Sequence, residues 1–125
     1  MNLKRVLLAE DDPDIQVVAR MALQMGGVEE VFLANDGHEC LSLVQKARPD
    51  LILLDVMMPK LDGYATCQAL KQDPQANHIP VIFLTAKAQS ADIQKGLAAG
   101  GLGYLTKPFD PATLCQCIIS IMESR

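Results

Sequence analysis

The chain has 125 residues, half of them hydrophobic and 21% charged, with 7 Pro and 8 Gly. That is the composition of one globular domain able to build a core without staples, and it excludes a disulfide scaffold, a disordered tail and a collagen-like repeat. A net charge of −4 argues against a nucleic-acid-binding face, and no apolar run is long enough for a membrane span or a secretory signal.

In chain order, Arg5–Ala9 is apolar and β-capable, and Glu10, Asp11, Asp12 and Asp14 crowd behind it. Asp12-Pro13 predicts a helix start, with Asp as the cap and Pro in the first turn. Ile15, Val18, Ala22 and Met25 predict its buried face, and Gly26-Gly27 its end. Val31–Ala34 predicts a second strand. Asn35-Asp36-Gly37 supplies turn chemistry before a helix with Leu41, Val44 and Ala47 on one face. After Arg48-Pro49-Asp50 comes a continuous apolar run, Leu51–Leu54, ending at Asp55. A loop from Pro59 to Gly63 precedes a helix over Tyr64–Lys71. Val81–Leu84 reads as a strand ending at Thr85, and Ser90–Ala99 as a weak helix interrupted by Gly96. Gly103–Thr106 is a short strand followed by Lys107-Pro108. Asp110-Pro111 is expected to cap a last helix with Leu114, Cys117, Ile118, Ile121 and Met122 inward. Ile119 and Cys115 fall off that stripe, which leaves open both an apolar surface patch and ordinary packing.

Strict alternation of strand and helix predicts a parallel sheet with helices on both faces. Right-handed crossovers and one reversal give the order 2-1-3-4-5. Cys40, Cys67, Cys115 and Cys117 all fall in helical segments away from His38 and His78. They are expected to be free thiols rather than metal ligands, which suits a reducing cytoplasm.

In a parallel sheet all strand carboxyl ends share one edge, where open α/β sheets bind ligands. Glu10 and Asp11, Asp55, Thr85 and Lys107 must therefore converge there. Each alone has a plain structural reading: a cap, a turn hydroxyl, a solvated ammonium. Asp55, after four apolar residues, is harder to dismiss, because a partly buried carboxylate needs a partner. Glu10, Asp11 and Asp55 would repel one another without a cation, and hard oxygen ligands suit Mg²⁺. Lys107 can neutralise Asp55 and later bind a phosphoryl oxygen, and Thr85 can donate to another. Such a carboxylate is equipped to accept a phosphoryl group.

These residues resemble the motifs of the receiver domain of two-component response regulators: Glu10-Asp11, Asp55, Thr85-Ala86 and Lys107-Pro108-Phe109. From Asp55 the spacing is 44 residues back to Asp11, 30 forward to Thr85 and 52 forward to Lys107. The resemblance covers essentially the whole chain, residues 1–125, and implies a flavodoxin-like (βα)5 fold. It implies Asp55 as phosphoacceptor with Thr85 and Lys107 assisting. It implies Mg²⁺ held by Asp11, Asp55 and the Met57 backbone carbonyl, with Glu10 acting through water and Asp12 outside the set. Thr85 and Tyr104 would form the switch, with small Ala86 leaving space for the ring, and Lys107-Pro108 would be cis. Met57 and Lys87 flank the site at positions that tune acyl-phosphate hydrolysis in the family. Gly101-Leu102-Gly103 departs from the family's acidic pattern and predicts a looser, less polar loop.

The implied function is a phosphorylation switch rather than a turnover enzyme. The donor would be a phosphohistidine on a sensor histidine kinase or a histidine phosphotransfer protein. The output would be docking to a downstream protein, without nucleic acid or membrane, with a weak homodimer left open. The expected architecture is a stand-alone, chemotaxis-type single domain, and one domain of a longer protein is the alternative that the sequence leaves open. A phosphatase of the haloacid dehalogenase type would need a second acid where Met57 stands. A flavodoxin-like cofactor carrier would need a hydroxyl- and Gly-rich loop where Glu10-Asp11-Asp12 stands. A degenerate receiver would not need Asp55, Thr85 and Lys107.

Overall fold

The computed structural model describes residues 3–86 and 89–124; Lys87 lies outside them. Ten elements alternate: β1 (Arg5–Ala9), α1 (Pro13–Met25), β2 (Glu30–Ala34), α2 (Gly37–Ala47), β3 (Leu51–Asp55), α3 (Gly63–Gln72), β4 (Val81–Thr85), α4 (Ser90–Ala98), β5 (Gly103–Thr106) and α5 (Leu114–Glu123). The five strands form one sheet in the order β2-β1-β3-β4-β5, and every neighbouring pair is parallel. β3 and β4 are buried throughout because both faces of the central sheet are covered.

Alternation along the strands divides the core. Leu7, Ile52, Leu54, Val81 and Phe83 meet Cys40 and Val44 of α2 and Tyr64, Cys67 and Leu70 of α3. Val6, Leu8, Leu51, Leu53, Ile82 and Leu84 meet Ala19, Ala22 and Leu23 of α1 and Leu114, Ile118 and Met122 of α5. The caps follow from the side chains. Asp12, Asp36 and Asp62 each accept a backbone N–H in the first turn of α1, α2 and α3. α1 ends at Gly26, and Gly27 takes a positive φ of 101°.

Three local expectations are corrected. Ala19, Ala22 and Leu23, not Val18 and Met25, form the buried stripe of α1. Val17, Val18, Met21 and Met25 face outward, Met25 by 76%. Ala19, Ala22 and Leu23 pack into the core on that side of the sheet, and Val17, Val18, Met21 and Met25 are turned away. Second, Asp110 accepts from the Ala112 N–H and closes a turn, so α5 begins only at Leu114. Third, Cys117 is exposed, whereas Cys115 and Ile119 are half-buried. Cys115 packs against α1 at Gly26, where an added Cβ would lie 2.7 Å from the Cys115 Cβ. The glycine loop before β5 is also tied down. Gly101 N–H donates to Gly96 O at 3.0 Å, Leu102 N–H donates to Val81 O at 2.8 Å, and Gly101 lies against the Phe83 ring.

The four cysteines are free thiols, with Cys40 and Cys67 buried. Among the described residues no helix is long and apolar enough to cross a membrane.

Candidate phosphoryl-acceptor and metal site

The carboxyl ends of β1, β3, β4 and β5 bring Glu10, Asp11, Asp55, Thr85 and Lys107 to one sheet edge. Asp55 terminates a fully buried strand and is only 3% exposed. The Lys107 ammonium reaches in from the segment after β5. It lies 3.0 Å from Asp55 Oδ1 and 2.7 Å from Glu10 Oε1. The Met57 N–H donates to the same Asp55 Oδ1 at 3.3 Å, so two donors hold that oxygen. The Lys107-Pro108 peptide bond is cis, as the motif implied.

Carboxylate oxygens of Glu10, Asp11 and Asp55 lie within 4.8 Å of one another. Three hard oxygen donors at that separation fit a small divalent cation such as Mg²⁺. Asp12 points its carboxylate at the Asp14 N–H instead, 2.9 Å away, and serves as a cap. Glu10 is 1% exposed. Burial, with a further contribution from Asp55, pushes its carboxyl up to about 7 against the pull of Lys107 and the Asp12 N–H. For Lys107, burial favours the neutral amine, but the hydrogen bonds to Glu10 and Asp55 together prevail and hold its pKa above the ordinary value.

Neighbouring loops hold these groups in place. Gln16 of α1 donates from Nε2 to the Glu10 carbonyl and, at 2.9 Å, to Asn35 Oδ1. Lys60, at φ 69°, sets its ammonium 3.6 Å from buried Asp36 and links the loop after Asp55 to the start of α2. Gly63 is required by close approach: an added Cβ would contact the Asp55 carbonyl oxygen and lie 3.0 Å from Val56 Cα. Met57 is 80% exposed beside Asp55. Thr85 is buried at the end of β4, and its carbonyl accepts the Lys107 N–H at 2.8 Å. An apolar groove of about 490 Å³ adjoins Lys107, lined by Ile15, Val18, Ala86, Pro108 and Phe109.

Tyr104 is half-buried on the other side of β5. Its ring centroid lies 5.4 Å from that of Phe83, and its hydroxyl meets the Asp92 carbonyl and, at 3.2 Å, the Tyr64 hydroxyl. The small neighbour beside the ring here is Gly96, where an added Cβ would lie 2.8 Å from Tyr104 Cζ. The sequence reading drew attention to Ala86, which is exposed. Tyr64, Gly63 and the backbone of Asp92 were missed altogether. An apolar neighbourhood gave no sequence signal for Tyr64, and the partners of Gly63 and Gly96 exist only in three dimensions.

Residues 6–119 match the family model described as the response regulator receiver domain. The chain is 43% identical over 108 residues to RpaA of Synechocystis sp., described as a DNA-binding dual master transcriptional regulator; the match covers 86% of this chain and 44% of that protein. It is 41% identical over 120 residues to PhoP of Bacillus subtilis, an alkaline phosphatase synthesis transcriptional regulatory protein, covering 96% of this chain and 49% of that one. The chain thus spans about half the length of the curated relatives it matches. Among solved structures, the chemotaxis response regulator CheY4 of Vibrio cholerae is 35% identical with a TM-score of 0.88, covering 96% of this chain and 99% of that one. The receiver domain of sensor histidine kinase PA1611 of Pseudomonas aeruginosa is 33% identical with a TM-score of 0.85, covering 96% and 98%; that structure has a magnesium ion coordinated in the active site cleft.

Proposed function

The chain belongs to the response regulator receiver domain family, and from that membership we propose that it accepts a phosphoryl group on Asp55 from a phosphohistidine. The donor is a sensor histidine kinase or a histidine phosphotransfer protein. The observation that carries the reading is the Asp55 carboxylate, buried at a strand end and clasped at Oδ1 by Lys107 and the Met57 N–H. In the transfer, a carboxylate oxygen of Asp55 forms a bond to phosphorus as the phosphorus–nitrogen bond to the donor imidazole breaks. Lys107 offsets the negative charge that gathers on the phosphoryl oxygens, and the Thr85 hydroxyl donates to one of them.

Glu10, through water, with Asp11, Asp55 and the Met57 backbone carbonyl would hold Mg²⁺, which when bound supplies positive charge toward carboxylate and phosphoryl oxygens. Thr85 and Tyr104 form the switch that carries the change to the α4–β5 face. We read the chain as a signalling receiver over residues 1–125 rather than a turnover enzyme, since Met57 stands where a phosphatase would need a second acid. Its output is protein docking, consistent with a net charge of −4, and its free thiols suit the cytoplasm.

The test is incubation with acetyl phosphate, with and without Mg²⁺, followed by intact mass. Wild type is expected to gain one phosphoryl group only with Mg²⁺, and Asp55→Asn none. No Mg²⁺-dependent adduct on wild type overturns the mechanism, and an equal adduct on Asp55→Asn overturns the site.

A further inference from the structure

The hydroxyls of Tyr64 and Tyr104 lie 3.2 Å apart, on different elements, and both approach the carbonyl of Asp92 in α4. The geometry forms a relay in which the Tyr64 O–H donates to Tyr104 Oη and the Tyr104 O–H donates to the Asp92 carbonyl. The rings are equally constrained. Phe83 packs against both, with centroids 5.1 Å from Tyr64 and 5.4 Å from Tyr104. Lys95 of α4 places its ammonium 4.9 Å over the Tyr64 ring. Opposite, Gly96 leaves room for the Tyr104 ring, since an added Cβ would lie 2.8 Å from Tyr104 Cζ and 3.0 Å from Phe83 Cε2.

We propose that Tyr64 is a positioning residue for Tyr104: its hydroxyl latches the Tyr104 ring into a seat formed by Phe83 and Gly96, so that α3 as well as Thr85 sets the orientation of the aromatic on β5. A phenol held only by apolar packing can rotate about χ1 at little cost, whereas leaving this seat breaks the link to Tyr64 and the bond to Asp92 together. Burial and the neighbouring Tyr104 hydroxyl hold the Tyr64 phenol well above its ordinary pKa, so the latch stays protonated. Gly96, costly in a helix by about 1 kcal/mol relative to Ala, has its reason here: α4 gives up helix stability to leave space for the ring. The consequence for signalling rests on the reading of Tyr104 as the switch; the latch itself does not.

The chain has two tyrosines and no tryptophan, so uniformly ¹³C-labelled tyrosine gives two spin systems, and in Tyr64→Phe only Tyr104 remains. In wild type, Tyr104 is expected to hold one χ1 rotamer with ring contacts to Gly96 Hα. In Tyr64→Phe the Hα–Hβ couplings of Tyr104 are expected to average over at least two rotamers and the Gly96 contact to weaken. The variant keeps the ring packed on Phe83, and a cooperative unfolding transition verifies its fold. Gly96→Ala is expected to displace the Tyr104 ring even with Tyr64 present. Identical Tyr104 couplings and contacts in wild type and Tyr64→Phe overturn the latch, as does a Tyr104 ring unmoved in Gly96→Ala. Repeating the spectra with beryllium fluoride and Mg²⁺ separates the two ideas. Wild-type Tyr104 signals that ignore the addition overturn the switch reading alone, because the latch is judged in its absence.

Discussion

Replacing Asp55 by Asn removes one charge from a crowded site with little change of shape. Carboxylate oxygens of Glu10, Asp11 and Asp55 lie within 4.8 Å of one another. At an effective dielectric constant of about 20, unit charges at that limit repel by about 3.5 kcal/mol, and Asp55 feels two such repulsions. Lys107, 3.0 Å away, attracts Asp55 by about 5.5 kcal/mol on the same scale. Repulsion therefore exceeds attraction by about 1.5 kcal/mol, and relief from desolvating a buried carboxylate acts in the same direction. Lys107 is not orphaned, since it keeps Glu10 at 2.7 Å. Asp55→Asn is expected to be more stable than wild type in EDTA, raising the thermal midpoint by about 6 °C for a domain of this size. A buffer near pH 8 keeps Glu10, pushed up to about 7, mostly ionised. Mg²⁺ is expected to reverse the comparison. A ligand at a hundred times its dissociation constant stabilises by about 2.7 kcal/mol, and wild type, with the full donor set, is expected to gain more than the variant. The assay is urea or thermal unfolding with EDTA and with Mg²⁺. An Asp55→Asn variant that melts below wild type in EDTA, or that gains as much from Mg²⁺, refutes the reasoning.

Lys107→Ala leaves Glu10 and Asp55 buried without their cation and is expected to cost about 3–5 kcal/mol, with Lys107→Arg recovering part of it; urea midpoints measure both. In Gly63→Ala the new Cβ meets backbone, the Asp55 carbonyl oxygen and Val56 Cα. Overpacking of about 1–3 kcal/mol and slower labelling by acetyl phosphate are expected, and a more stable variant with an unchanged rate contradicts the close approach. Met57 is 80% exposed beside Asp55; if its side chain shields the path of water, Met57→Asn is expected to shorten the lifetime of the phosphorylated form, and an unchanged lifetime removes that role. Iodoacetamide is expected to modify exposed Cys117 first and Cys115 more slowly. Cys40 and Cys67, buried and with thiols pushed up to about 12 and about 11, are expected to react only after unfolding; mass spectrometry along a urea series reads the order.

The strands and the candidate site were legible for one reason. A parallel sheet converts sequence position into spatial position: whatever follows an apolar run lies on the same edge as whatever follows the next. Glu10, Asp55, Thr85 and Lys107 needed no side-chain geometry to be grouped, only the alternation of elements. The α1 face had no such guide. Ile15, Val18, Ala22 and Met25 fall on one helical stripe, but Ala19, Ala22 and Leu23 fall on a neighbouring one, and a helix apolar on both sides fits either. Helical spacing points to Ile15, Val18, Ala22 and Met25. The packed core takes Ala19, Ala22 and Leu23, and Val18 and Met25 remain at the surface. Asp110 misled for a related reason, because a side chain with N-cap chemistry closes a turn equally well, and here it does so before α5 begins.

The tyrosine pair lies beyond both kinds of guide. Tyr64 and Tyr104 are forty residues apart, one on a helix and one on a strand, and neither sits at a strand end where the topology would bring polar groups together. Alone, each reads as a core aromatic, and Gly96 reads as a weakness in a helix. Their meaning comes from the joint geometry, in which a missing side chain makes a seat, a ring fills it and a second hydroxyl closes it. Chemistry aligned with the sheet can therefore be read from sequence order, whereas a contact that controls the chemistry from the side needs the packed core to be seen.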